Sequence, residues 1–323
     1  MEKEITFIHN SRDYRKNIFY IQLFLFKACN YKCEYCITKS NTDDINKENL
    51  VKGFKNLDKF IKGHSEKHKD IDTTSIQVIG GEPTLIDLIP YLDMINSKSF
   101  KIFKLMTNFY RPINYFEDLY NYKIKRDLDI QFTLSFHALK MDKNEFFEKY
   151  KLLTQMFEKK NVNISIVVND TNINKVKEFV SDVKETGIID FKKMKFKKDF
   201  TKNQVSKEVS DFVDEMILTK PWPETSLIKY NDGSIDEVNL NKIRCIYGKY
   251  DFNPQGFHCE TKLGKNHCKI DFKTGNIYFC KRCMDKKECI GNLFENKYNF
   301  DITDDICISK TCNFCNRGDK IYK

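Results

Sequence analysis

Three cysteines stand in a tight run, Cys29-Asn-Tyr-Lys-Cys33-Glu-Tyr-Cys36, directly after the apolar segment Ile18 to Phe26. A strand followed by that spacing gathers three soft thiolates in one short loop at its C-terminal end. Such thiolates hold iron-sulfur clusters, and a cuboidal 4Fe-4S cluster with three protein ligands leaves its fourth iron open to another molecule. A zinc site would want a fourth Cys or His nearby, and none lies within the loop. After the next apolar segment comes Gly80-Gly81-Glu82-Pro83, where two glycines let the backbone approach a ligand closely and Glu82 can accept from an ammonium. Thr107 and Asn108 close a third apolar segment, Ser135, Phe136 and His137 a fourth, and Val168 and Asn169 a fifth. Ser135 reads either as a ligand contact or as a simple strand terminator, and His137 either as a surface histidine or as a substrate contact.

The elements that must position these groups alternate between strand-like and helix-like from Ile18 to about Phe200, the pattern of a parallel sheet with crossover helices. The six strand candidates are Ile18 to Phe26, Thr74 to Ile79, Lys101 to Met106, Leu128 to Ser135, Val162 to Val168 and about Ile188 to Phe196. Stripes at helical spacing lie between them: Leu50, Phe54, Leu57 and Ile61, then Phe146, Tyr150, Leu153 and Phe157, then Ile173, Val176, Phe179, Val180 and Val183. The expected fold is α/β, a partial (βα)6 parallel barrel over residues 1–200. A bridging segment over 201–244 and a small cysteine-rich domain over 245–323 follow. Asn231-Asp232-Gly233 predicts a hairpin turn inside the bridge, after Pro221, Trp222 and Pro223. All the groups named above then share one face, the C-terminal ends of parallel strands, where barrel enzymes assemble their sites.

The Cys-x3-Cys-x2-Cys run, with Tyr35 before its third cysteine and Gly80 to Pro83 after the second strand, resembles the signature of the radical SAM superfamily. The resemblance covers most of the chain. It implies a 4Fe-4S cluster on Cys29, Cys33 and Cys36 whose open iron is chelated by S-adenosylmethionine. Reductive cleavage then gives a 5'-deoxyadenosyl radical that abstracts hydrogen from an unactivated C–H bond. Tyr35 would lie against the adenine, Gly80, Gly81, Glu82 and Pro83 would hold the methionine amino group, and Asn108 and Ser135 would match further cofactor-binding positions. An external one-electron donor of flavodoxin or ferredoxin type is implied as a partner. The stretch after His137 departs from the pattern, carrying lysines where some relatives place an Arg on the cofactor carboxylate.

Nine of the twelve cysteines fall between Cys245 and Cys315. No secretory signal precedes them, so reduced, metal-binding thiols are expected rather than disulfides. His267 to Phe272 and Ile277 to Cys280 read as a hairpin around Lys273 to Asn276. The spacing of Cys259, Gly275, Cys280 and the later Cys312-x2-Cys315 resembles the SPASM or twitch extension of radical SAM maturases and dehydrogenases. That implies one auxiliary 4Fe-4S cluster on Cys259, Cys280, Cys312 and Cys315, with Cys268 competing for the place of Cys259. Cys245, Cys283, Cys289 and Cys307 are left spare with Cys268. Cys280-x2-Cys283 and Cys312-x2-Cys315 also read as zinc-ribbon knuckles.

A charged N-terminus and the lack of any apolar run of membrane-spanning length predict a cytoplasmic protein without a membrane partner. The net charge of +9 is spread along the chain and comes mostly from Lys. Its densest stretch, Lys192 to Lys202, reads as a solvated strand edge rather than a nucleic-acid site. Only 28 residues precede Cys29, too few for a leader-recognition domain, so the expected substrate is a small polar molecule or carbohydrate. Maturation of a ribosomally made peptide is the second reading and tRNA modification the third. A metal-binding interaction protein without turnover comes from another class, and Gly80 to Pro83 argues against it.

Overall fold

The apolar segments read from the sequence become neighbouring strands because each buries most of its residues, and β5 shows the two-residue period most clearly. In β5 (Asp129–Phe136) Ile130, Phe132, Leu134 and Phe136 are buried while Gln131, Thr133 and Ser135 are partly open. One face of such a strand must be covered by helices and the other left toward a lumen. β4 (Phe100–Thr107) follows that period toward its C-terminal end, while β2 (Ile18–Phe24), β3 (Thr73–Ile79) and β6 (Val162–Val168) each bury three consecutive residues, as strands covered on both faces do. With β7 (Ile188–Lys193) these six run parallel in sequence order, as expected. A computed structural model describes residues 4–10, 17–36, 45–183, 188–193, 205–218, 225–239, 255–259, 264–280, 283–284, 287–300, 306–307 and 320–323.

The crossover helices cover the apolar face. In α1 (Lys47–Lys67), started by the Asn46 side chain accepting from the Asn49 amide, Leu50, Phe54, Leu57 and Ile61 are buried, as their spacing predicts. α2 (Ile89–Leu92), α3 (Ile113–Arg126), α4 (Lys143–Met156), α5 (Ile173–Val183) and α6 (Lys207–Leu218) follow. In α4, capped by Asp142, and in α5 the expected stripes supply Phe146, Leu153, Val176 and Phe179 to one continuous core. Truncating a side chain such as Phe54, with 0% exposure, to Ala would cost about 3–5 kcal/mol.

Beyond the six barrel strands, strand pairings cross the expected boundaries at 200 and 244. β8 (Thr225–Tyr230) and β9 (Ile235–Asn239) form the expected hairpin, but β8 pairs with β1 (Ile5–Asn10). That antiparallel sheet is completed by β10 (His258–Cys259) and β15 (Lys320–Tyr322) in the order β10-β15-β1-β8-β9. β11 (His267–Asp271) and β12 (Asn276–Tyr278) form the other expected hairpin, yet β11 also lies parallel to β2, Lys269 opposite Gln22. With β13 (Gly291–Asn292) and β14 (Lys297–Tyr298), the C-terminal strands thereby extend the barrel sheet to ten strands. α1 braces this seam. A Cβ on Gly53 would overlap the Phe272 ring, Asn56 donates to the Leu293 carbonyl at 3.0 Å, and His64 Nε2 donates to the Lys265 carbonyl at 2.8 Å. Among the described residues no helix is long and apolar enough to cross a membrane.

Candidate functional site

The cysteine loop begins where β2 runs out, and its base is fixed by backbone bonds to the end of β3. Leu25 donates to the Ile79 carbonyl at 3.1 Å, Gly81 to that of Phe26 and Glu82 to that of Ala28, both at 2.8 Å. Two backbones this close leave no room for side chains between them. A Cβ on Gly81 would overlap the Ala28 carbonyl, and Gly80, at φ 148°, would carry one 2.5 Å from the Phe26 oxygen. The glycines of Gly80-Gly81-Glu82-Pro83 thus let one protein segment approach another closely.

Glu82 has an equally internal task. It is 1% exposed and caps the 3-10 turn Pro83–Leu85. Its Oε1 accepts from the Thr84 amide (3.0 Å), the Thr84 hydroxyl (2.6 Å) and the Thr107 hydroxyl (2.7 Å), and its Oε2 accepts from the Asn108 amide (2.5 Å). Burial pushes its pKa above the ordinary carboxylate value, and these four donors pull it part of the way back. The Glu82 carboxylate is thus held by the segments that follow β3 and β4. It passes its order on through Asn108, buried at 4% exposure, whose side-chain Nδ2 donates to Asn30 Oδ1 at 2.7 Å and stands 3.9 Å from Cys29 Sγ.

The loop presents Cys29, Cys33 and Cys36 half-buried and unbridged. The Tyr31 amide donates to Cys29 Sγ at 3.4 Å, and the Cys36 amide closes a turn on the Cys33 carbonyl at 3.0 Å. Burial, first of all, raises the Cys29 and Cys33 thiols above their ordinary values, and the neighbouring thiols add to it. Metal cations reverse that cost by holding thiolates outright. Among the described residues no three His, Cys, Asp or Glu side chains stand at metal-holding distance, so the fit to a 4Fe-4S cluster rests on the donor set and its place on the strand end. His137, after β5, closes the loop from above. Its Nδ1 is 2.7 Å from Tyr35 Oη and 3.5 Å from Cys33 Sγ, with the Tyr31 ring edge-on at 5.6 Å. Burial pushes it down to about 4, so the ring is neutral at pH 7. Tyr35 lies against His137, the rings 15° from parallel.

Ser135 sits on the open face of β5 opposite Ser165. Asn169 uses its carboxamide oxygen on the Thr171 and Asn172 amides at the turn into α5. Pro83 opens the 3-10 turn. Sequence reasoning missed Asn30 and Tyr31, whose only signal was lying between the first two cysteines.

In the C-terminal segment Cys280 and Cys283 have their sulfurs 3.6 Å apart, and Cys283, left spare in the sequence reading, is buried. Two thiolates about 2.3 Å from one tetrahedral metal are separated by roughly 3.7 Å, so this pair has the spacing of a single-ion knuckle. Cys259 lies on β10, and Cys268, 1% exposed, packs into the barrel core as a small hydrophobe. Cys312, Cys315 and Cys245 lie outside the described residues.

The partial parallel barrel, with three thiols on the loop after its first strand and the glycine turn after its second, has the fold and motif placement of the radical SAM class of enzymes. No family model matches the chain. It is 32% identical to GTP 3',8-cyclases of Campylobacter jejuni strains RM1221 and NCTC 11168 over 113 residues, 34% of this chain and 34% of each relative, so it spans about a third of the curated relatives it matches. Among solved structures it is similar to Streptococcus suis SuiB bound to the precursor peptide SuiA, at 17% identity, over 86% of this chain and 62% of that one, with a TM-score of 0.52. SuiB bound to S-adenosylmethionine matches equally, at a TM-score of 0.52 and 17% identity over 86% of this chain and 63% of that one.

Proposed function

We propose that this chain is a radical SAM enzyme that abstracts hydrogen from a peptide substrate. The observation that carries the reading is the gathering of Cys29, Cys33 and Cys36 with Asn108 and His137 at the C-terminal ends of β2, β4 and β5. Bound there, a 4Fe-4S cluster and S-adenosylmethionine would supply the electron and the carbon radical. The chain's own part is to place and shelter them. Cys29, Cys33 and Cys36 would hold three irons, Tyr31 and Asn108 would set Cys29, and His137 would hold Tyr35 against the cofactor end of the barrel. Neutral His137 offers a hydrogen bond without adding charge beside the thiolates. Ser135 faces the lumen where the substrate would lie.

The likeness to SuiB with its precursor peptide supports a peptide over the small polar or carbohydrate substrate expected from the sequence. Anaerobic reconstitution, reduction with dithionite and measurement of 5'-deoxyadenosine test the reaction class. Peptides encoded beside the gene should raise its yield and show a new mass. Stimulation by sugars or nucleotides alone would overturn the peptide reading, and absence of 5'-deoxyadenosine would overturn the class.

A further inference from the structure

Among the described residues, four other than glycine have a left-handed backbone, and three of them, Asp127, Lys287 and Asn296, are exposed. The fourth is Phe109, at φ 60° and 0% exposure, just beyond the end of β4. A bulky side chain rarely takes that conformation, and such strain persists only where the surroundings over-determine it, most often at functional sites. The surroundings of Phe109 do so. Its ring lies edge-to-face with Phe116 and Phe146, at centroid distances of 4.8 and 5.6 Å, and its amide donates to the Thr107 hydroxyl at 3.0 Å. Its carbonyl accepts from Lys149 Nζ at 2.5 Å, and that half-buried ammonium on α4 also stands 4.6 Å from the Phe109 ring centroid.

The Phe109 carbonyl and the Tyr110 N–H belong to one rigid peptide plane and point in opposite directions. Lys149 holds the first, and the second donates to Asn108 Oδ1 at 3.2 Å. A carboxamide whose oxygen is taken in this way presents its NH2 on the other side. There Asn108 Nδ2 donates to Asn30 Oδ1 and reaches toward Cys29 Sγ. The order of the cysteine loop is thereby tied to an ammonium 40 residues along the chain from Phe109, on the helix that follows β5.

We propose that Lys149 is a positioning residue of the radical-cluster site: by fixing the Phe109–Tyr110 peptide it turns the Asn108 carboxamide toward Asn30 and Cys29. The inference deepens the function proposed above and rests on its assignment of Cys29 as a cluster ligand, but the first measurement below needs no cluster.

Hydrogen exchange of the full chain without iron, resolved to single amides, reads the relay, because the Tyr110 amide donates to Asn108 and the Tyr31 amide to Cys29 Sγ. Lys149→Met should speed exchange at both by about tenfold or more, the loss of one charge-assisted bond, while amides in the middle of β4 keep their rates. Asn108→Ala should act alike, and Lys149→Met should add nothing to it in the double variant. Lys151→Met, which removes an exposed charge from the same helix, should change neither amide. If Asn108→Ala fails to fold, the Tyr31 amide in Lys149→Met decides. After reconstitution, the cluster whose electron paramagnetic resonance signal responds to S-adenosylmethionine should be about threefold to tenfold less reduced at a fixed potential in Lys149→Met. Donors beside a cluster thiolate favour the more negative, reduced form. An unchanged Tyr31 amide, full additivity of the two substitutions, an equal effect in Lys151→Met or an unchanged reduced fraction would overturn the proposal. Absence of 5'-deoxyadenosine with the exchange pattern as expected would overturn the proposed function and leave the relay standing.

Discussion

Replacing Glu82 by Gln should loosen the cysteine loop rather than merely weaken cofactor affinity. A glutamine oxygen at the Oε1 position keeps the three donors from Thr84 and Thr107, but its NH2 then meets the Asn108 amide, which now donates to Oε2 at 2.5 Å. Rotating the amide is worse, since it sets the nitrogen against three donors. The first arrangement loses one charge-assisted bond, about 1.5–3 kcal/mol, and leaves two buried donors facing each other, about 1–3 kcal/mol more, giving on the order of 4 kcal/mol. For a chain of 323 residues that lowers Tm by on the order of 5 °C. Because Asn108 also contacts Asn30 and Cys29, iron retained after anaerobic reconstitution should fall with it. Calorimetric unfolding and iron content, read beside S-adenosylmethionine affinity, decide the matter. A variant with the parent's Tm and iron but weakened affinity would refute the internal role and restore the carboxylate to the cofactor's ammonium.

Gly81→Ala, which forces a methyl group onto the Ala28 carbonyl, should abolish soluble, iron-loaded protein; a variant that folds and loads normally would contradict the backbone contact. Acid should weaken the seam between barrel and C-terminal strands through His64, 1% exposed, stacked on Phe19 at 3.5 Å and pushed down by burial to about 3 from 6.5. A histidine with a lowered folded value contributes fully above 6.5 and loses its contribution as pH falls toward 3. Between pH 7 and 5 that is about 2 kcal/mol, and urea unfolding at the two pH values should lose this pH dependence in His64→Phe. Replacing Cys29, Cys33 and Cys36 together should eliminate reductive cleavage, measured as 5'-deoxyadenosine. Metal analysis of the reconstituted chain should give about 8 irons if Cys259, Cys280, Cys312 and Cys315 hold an auxiliary 4Fe-4S cluster. About 4 irons with one zinc would instead follow from a single-ion knuckle at Cys280 and Cys283.

Local pattern determined much of this protein. The six parallel strands, the helix stripes of α1, α4 and α5, both hairpins and the three-thiol loop were legible because apolar period and loop spacing are carried by neighbouring residues. What those residues touch was not. Gly80 to Pro83 marks a turn in any reading, but only the tertiary structure decides that its glycines meet Phe26 and Ala28 and that Glu82 is spent on Thr84, Thr107 and Asn108. The seventh parallel strand was hidden for the same reason: β11 reads as half of a hairpin, and pairing with β2, far away in sequence, leaves no local signal. Gln22, Gln77, Lys104 and Lys269 looked like isolated polar residues in separate strands, and the register alone lines them up. Periodicity fixes which face a residue takes; which residue stands opposite is set by long-range pairing, whose information is spread over the whole chain.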